Sequence, residues 1–122
     1  MKFKLLTLLL LLSLNQIASA QKENWKNLFN GKDLSGWKAV AGKATFEVKD
    51  GTIEGTAVFG TGNTFLVTEE MYTDFILEVD LKINHISSNS GIMARGQFNP
   101  DARNGQGLVY GYQIEADPTP RA

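Results

Sequence analysis

The chain has 122 residues, twelve Lys and Arg against thirteen Asp and Glu, one histidine and no cysteine. With no basic stripe it is not built to bind nucleic acid, and with no cysteine it has neither a disulfide framework nor a thiol for a lipid anchor. That length allows one domain at most.

The first residues read as a leader. Met1-Lys2-Phe3-Lys4 is positive, 5–14 is apolar apart from Thr7 and Ser13, and Ala18-Ser19-Ala20 puts small residues at the −3 and −1 positions of a signal-peptidase site. The apolar run falls short of the roughly 20 residues a membrane helix needs, and no other stretch could span a bilayer. We expect residues 1–20 to be a cleaved signal peptide and 21–122 to be a soluble domain, secreted or periplasmic. The mature chain then has ten basic and thirteen acidic residues, a net charge of −3. An exported domain without disulfides relies on its core, which suits a bacterial periplasm or exterior.

After the leader come short strands separated by turn chemistry. Weak strands are expected at 25–29 and 37–40. The clearest local signal is Thr45-Phe46-Glu47-Val48-Lys49, then Asp50-Gly51, then Thr52-Ile53-Glu54-Gly55. Asp-Gly accepts the positive φ angles of a two-residue turn whose twist matches that of the flanking strands, so this is a hairpin. A further strand is expected at 64–68, with 67–72 the one place where a helical stretch longer than a turn or two would fit. In 74–84, Phe75, Leu77, Val79, Leu81 and Ile83 alternate with Ile76, Glu78, Asp80, Lys82 and Asn84. Strict period two over that length predicts the central strand of a half-buried antiparallel sheet. Strands at 91–96 and 111–116 flank a polar loop at 99–107. Twelve glycines, most of them between these segments, suit such an architecture. The fold class is all-β, an antiparallel β-sandwich or jelly roll. The last strand runs into Pro118 and Pro120, which cannot donate to a ladder. We expect that loop to lead to further strands and the chain to be a partial copy of its domain.

The most informative segment is Gly111-Tyr112-Gln113-Ile114-Glu115-Ala116-Asp117. As a strand it places Gln113, Glu115 and Asp117 on one face and Tyr112, Ile114 and Ala116 on the other, same-face neighbours being about 6.6 Å apart. Two carboxylates at that spacing suit general acid and base work, because each ionised group raises the pKa of the other. The alternative is a solvated outer face. In Asn89-Ser90-Gly91-Ile92-Met93-Ala94-Arg95, inward Ile92 and Ala94 leave Asn89, Met93 and Arg95 together. If the two strands are neighbours, Arg95 would stand beside Glu115, either serving a hydroxyl-rich ligand or forming an ordinary cross-strand ion pair. His85 suits a surface or loop role, and no Cys or His cluster supports a structural metal site. Trp25, Trp37, Phe29 and Phe46 could stack on sugars, but large aromatics near strand starts are more often core.

Three of these segments resemble one family in its own order. Trp25-Lys26-Asn27-Leu28-Phe29-Asn30-Gly31-Lys32-Asp33-Leu34-Ser35-Gly36-Trp37 is similar to the opening of the 3-keto-disaccharide hydrolase domain. Asn89-Ser90-Gly91-Ile92 through Arg95, and Gly111 through Pro118, are similar to its two internal motifs. The resemblance covers essentially the whole mature chain and implies a concanavalin-like sandwich acting on carbohydrate. It also implies a longer domain, with Trp-Ser-Gly-Gly and Tyr-Asp-Glu regions after the segment that matches 112–122. The implied reaction cleaves the glycosidic bond of a 3-keto-glycoside, by elimination and hydration or by hydrolysis. A ketone at C3 acidifies the C2 hydrogen, so the site needs a base, a stabiliser for the enolate oxygen and an acid for the leaving group. The resemblance assigns Glu115 or Asp117 as base or acid, Arg95 as oxyanion stabiliser, and Gln113, Tyr112 and Asn89 as hydroxyl-binding. A divalent cation on Glu115 or Asp117 is the alternative electrophile. A non-catalytic, lectin-like sugar-binding module on the same fold is the competing reading, and an adhesion domain with no pocket on the Gln113 and Glu115 face is a third.

Overall fold

The computed structural model describes residues 25–119, so the expected leader at 1–20 lies outside the described residues. The chain is nearly all β: β1 (Trp37–Ala41), β2 (Thr45–Lys49), β3 (Thr52–Thr56), β4 (Thr64–Thr68), β5 (Ser90–Asn99), a four-residue helical turn α1 (Ala102–Gly105) and β6 (Leu108–Ala116). They pair antiparallel as β1–β4, β2–β3 and β5–β6.

The β2–β3 hairpin closes on Asp50 (φ 48°) and Gly51 (φ 72°), both left-handed as the two-residue turn requires. Its register sets Lys49 opposite Thr52, Val48 opposite Ile53 and Phe46 opposite Gly55. Glu47 and Glu54 face one another across the ladder, and like charges so placed repel. Lys49 relieves this by donating from Nζ to Glu47 Oε1 (3.0 Å) and Glu54 Oε2 (3.2 Å). Glu47, then Glu54, raise the Lys49 pKa.

The segment before β1 is held by side chains rather than by a ladder. The Asn30 carbonyl oxygen accepts from the backbone N–H groups of Lys32 (2.8 Å) and Asp33 (3.0 Å), and its amide donates to Asp33 Oδ1 (2.8 Å). The Ser35 N–H also donates to Asp33 Oδ1 (2.9 Å), and the Trp37 indole N–H donates to the Leu28 carbonyl (2.8 Å). The expected strand at 25–29 does not form: no described strand pairs with it, and the Leu28 carbonyl is taken by the half-buried Trp37 indole. Hydrogen bonds from the Ser35 hydroxyl, then from Asn30 and the Ser35 backbone, hold the Asp33 carboxyl down to about 2. Because the folded chain favours the ionised form, the turn is stabilised above the ordinary carboxylate pKa near 3.8, and this is lost as pH falls through about 2. A carbon-detected NMR titration is expected to give Asp33 a midpoint of about 2, well below the ordinary 3.8; an ordinary midpoint would show that the turn is open in solution.

β1 and β4 pair from Trp37 opposite Thr68 to Ala41 opposite Thr64. The ladder ends where Gly42 (φ 33°) passes under Thr64. A Cβ on Gly42 would lie 2.0 Å from Thr64 Oγ1 and 2.6 Å from the Gly62 carbonyl, so only glycine fits. No helix forms at 67–72. Thr68 is in the ladder, the Glu69 N–H continues it to the Gly36 carbonyl (2.9 Å), and the Thr68 hydroxyl closes a turn on the Glu70 carbonyl (3.0 Å). Lys26 then ion-pairs with Glu70 and lies 5.3 Å from the Tyr72 ring centre, while the Tyr72 hydroxyl donates to Glu70 Oε2 (3.0 Å).

The expected central strand at 74–84 is the largest difference between sequence and structure, because no strand is formed there. The alternation survives only as a bias: Phe75, Leu77, Val79 and Leu81 are 41–55% exposed and Ile76 is 77% exposed. Period two determines which side chains share a face, but a strand also needs a neighbour for its N–H and C=O groups. None of the described strands pairs with this segment. The β5–β6 hairpin is longer than expected, because its strands extend to Asn99 and Leu108 and shorten the 99–107 loop. Val40 (6% exposed) and Val109 (7%) are the buried apolar residues among those described, and the end of β1 comes close to the chain just before β6, where a Cβ on Gly107 would lie 3.6 Å from Ala41 Cα.

Candidate functional site

The candidate site is on the β5–β6 hairpin. Gly91 pairs with Glu115, Ile92 with Ile114, Met93 with Gln113 and Ala94 with Tyr112. Antiparallel partners share a face, so Met93, Gln113 and Glu115 project to one side while Ile92, Ala94, Tyr112 and Ile114 project to the other. The ladder then slips between Ala94 and Gln97, where Arg95 (φ 53°) and Gly96 together oppose Gly111. Such a bulge needs a bare backbone across from it. A Cβ on Gly111 would lie 3.0 Å from Gly96 Cα and 3.1 Å from the carbonyl oxygens of Ala94 and Arg95.

Three of the expected site residues come together at the open end of the hairpin. The Asn89 amide donates to Glu115 Oε1 (2.9 Å) and the Gln113 amide donates to Glu115 Oε2 (2.6 Å), so each carboxylate oxygen has a donor. Two hydrogen bonds, one from the residue just before β5 and one from within β6, orient the carboxylate. Asp117 lies just past the strand end, where its Oδ1 accepts from the Thr119 N–H (2.8 Å) and hydroxyl (2.6 Å), an Asx-type turn.

Arg95 and Tyr112 are not in this cluster. Arg95 Nη2 donates to Asp74 Oδ1 (3.4 Å), a pair exposed on both sides and weak for that reason. The expectation that Arg95 stands beside Glu115 is therefore corrected. Gly91 holds the position across from Glu115, and Arg95 is four residues, about 13 Å, further along the strand. The bulge turns its backbone away as well. Tyr112 is on the reverse face with Tyr110, whose hydroxyl donates to Gln97 Oε1 (2.9 Å).

A hollow of about 130 Å3 adjoins the cluster between β1–β4 and β5–β6. Phe65, Met93 and Val109 make its apolar side, and Asn63, Gln113 and Arg103 its polar side. It is smaller than the roughly 300–1,000 Å3 of clefts that enclose a drug-sized ligand, so it takes one end of a single small ring. Gln113 belongs to both places, lining the hollow and donating to Glu115. A second hollow of about 270 Å3 is larger, but three of its polar groups, Lys26, Glu70 and Tyr72, are spent on one another and join the chain before β1 to the chain after β4.

Gly91 and Arg103 were not among the sequence candidates. A Cβ on Gly91 would lie 2.6 Å from the Ile114 carbonyl and 3.1 Å from Gln113 Cγ, so glycine there lets the Gln113 side chain lie across β5. An isolated glycine inside a strand was the available signal, since it often marks close backbone approach. Arg103 had no signal, because it sits in a loop that looked only polar. His85 is in a turn, its Nδ1 2.7 Å from the Ser87 hydroxyl. Among the described residues, no three His, Cys, Asp or Glu side chains are grouped to hold a metal ion, and no helix is long and apolar enough to cross a membrane.

A family model described as the 3-keto-alpha-glucoside-1,2-lyase-like domain matches residues 24–122. No curated protein matches the chain.

Proposed function

The chain belongs to the 3-keto-alpha-glucoside-1,2-lyase-like domain family, whose fold is concanavalin-like, and on that premise we propose that it is an exported enzyme cleaving the glycosidic bond of 3-keto-glycosides. The observation that carries this reading is the Glu115 carboxylate, held by Asn89 and Gln113 beside a hollow that Gln113 also lines. Glu115 removes the C2 hydrogen, and the electrons of that C–H bond form the C2–C3 double bond of an enolate. As the C3 carbonyl re-forms, C1–C2 becomes double and the glycosidic oxygen leaves from C1, taking a proton from an acid that we assign to Asp117. Water then adds across C1–C2. Asn89 and Gln113 orient the base and reach the sugar hydroxyls. The leader-like residues 1–20 support a secreted or periplasmic location.

One observation favours the sugar-binding reading. Tyr110 (50% exposed) and Tyr112 (74%) are next to one another on the reverse face of β6, the kind of aromatic surface on which sugar rings stack. Incubation with a 3-keto-glucoside and with the matching ordinary glucoside separates the two. We expect release of the aglycone from the keto sugar alone. Binding of both sugars with cleavage of neither would overturn the enzymatic reading in favour of the tyrosine surface.

A further inference from the structure

We propose that Phe59, at the tip of the loop between β3 and β4, is a stacking platform for a carbohydrate chain that extends out of the hollow. The proposal rests on the reading of this domain as one that acts on sugars, and it names the substrate class as an oligosaccharide rather than a glycoside of one ring. The starting observation is exposure. Phe29, Phe46 and Phe65 are half-buried, Phe98 (42% exposed) and Phe75 (49%) are partly covered, and Phe59 is 104% exposed. Single apolar side chains on a surface are common, but this one is held out by a closed turn.

The turn fixes where the ring stands. The Thr61 N–H donates to the Val58 carbonyl (3.3 Å), and the Thr61 hydroxyl donates to the same oxygen (2.8 Å). Gly60 is left-handed (φ 73°), which suits the third position of a type II turn, and Phe59 takes the second, at the corner. A ring mounted on such a corner loses little freedom when a ligand settles on it. From Gly55 to Thr68 the chain has no Asp, Glu, Lys or Arg, and its polar side chains here are threonine hydroxyls and the amide of Asn63. An aromatic ring among neutral hydrogen-bonding groups suits a ligand that is itself neutral, apolar on its ring faces and hydroxylated at its rim, which is a sugar. A lipid surface would require lysine or arginine beside the ring, and one ring covers too little area for a protein interface of about 800 Å2 per partner.

The same loop leads into the hollow. Asn63 follows Phe59 in the chain and lines the hollow, and its side-chain amide makes no hydrogen bond with any of the described residues. The four steps from Phe59 to Asn63 span at most about 14 Å, roughly the length of two or three sugar rings, and the turn shortens that. The hollow takes one end of a single ring, so a longer chain continues outside it, with Asn63 and then Phe59 as the next groups along the loop. Stacking there adds affinity at a distance from Glu115 and takes no part in bond cleavage.

Phe59→Ala and Phe59→Trp test this against the wild type. The ligands are an α-linked glucose disaccharide and tetrasaccharide, used unoxidised in calorimetric binding and as their 3-keto derivatives in kinetics. The wild type is expected to bind the tetrasaccharide about 2–10-fold more tightly than the disaccharide, the scale of one aromatic stacking contact, with a matching fall in KM and the same kcat. Phe59→Ala should bring the tetrasaccharide to the disaccharide's values, and Phe59→Trp should keep them apart. A wild type with no preference for the longer chain would overturn the proposal, as would a preference that survives in Phe59→Ala. Loss of the preference in both variants, with equally lowered melting temperatures, would overturn it in favour of a structural role. Binding of the wild type but not of Phe59→Ala to phosphatidylcholine vesicles, with no gain from chain length, would make the ring a lipid contact instead. Binding of neither sugar would overturn the sugar reading itself, and the platform with it. A wild type that binds the tetrasaccharide through Phe59 but cleaves no keto sugar would overturn the enzymatic reading alone and leave the platform in place.

Discussion

Glu115→Gln is expected to reduce kcat on a 3-keto-glucoside by about 10²–10⁴-fold, the range for loss of a positioned general base, while substrate binding changes little. The substitution keeps the shape of the side chain and removes the group that accepts the proton. It also leaves one oxygen where there were two, so either the Asn89 or the Gln113 amide loses its acceptor. A small increase in KM from loosened orientation is therefore expected beside the large fall in kcat. Steady-state kinetics with a separate binding measurement on the variant would check both. Undiminished kcat would remove Glu115 from the reaction. A fall in binding matched to the fall in kcat would make it a sugar-holding group rather than a base.

The second large effect is on folding. Gly91→Ala is expected to destabilise the domain by about 1–3 kcal/mol, as overpacking does when nothing soft can give way. The new methyl would sit 2.6 Å from the Ile114 carbonyl, which is backbone in the partner strand, so the ladder has to open at the pairing of Gly91 with Glu115. Gln113 Cγ and Nε2, 3.1 and 3.2 Å from the same point, would be pushed off the strand, breaking the hydrogen bond to Glu115. For a domain of this size each kcal/mol lowers the melting temperature by about 4–8 °C, so a thermal melt reads the effect directly. Activity below the melting transition should also fall, because the base loses one of its two donors. An unchanged melt would mean that β5 and β6 are not paired in this register.

The hairpin and the site were not equally legible in the sequence. Asp50-Gly51 could be read because a two-residue turn is a local matter, settled by which residues tolerate positive φ. Gln113 and Glu115 could be placed together because parity along an uninterrupted strand needs only the chain itself, and Asn89 fell in with them once β5 and β6 were neighbours. The same parity argument failed for Arg95. One extra residue between Ala94 and Gln97 breaks the alternation, and that bulge depends on the bare backbone of Gly111 in the other strand. Tyr112 was already on the reverse face by parity, and the hydroxyl-binding role given to it came from the family resemblance.

The sequence alone determined an all-β chain with short antiparallel strands, the Asp-Gly hairpin and a carboxylate flanked by amides, because these follow from backbone dihedral preferences and from the two-residue period of a strand. Tertiary structure decided what each segment paired with. It left 74–84 without a ladder despite its alternation, set Arg95 against Asp74, and brought the loop bearing Arg103 to the hollow beside Gln113. Those outcomes depend on contacts between residues far apart in the chain, where the cost of closing a loop and the space left by a missing Cβ count for more than any local preference.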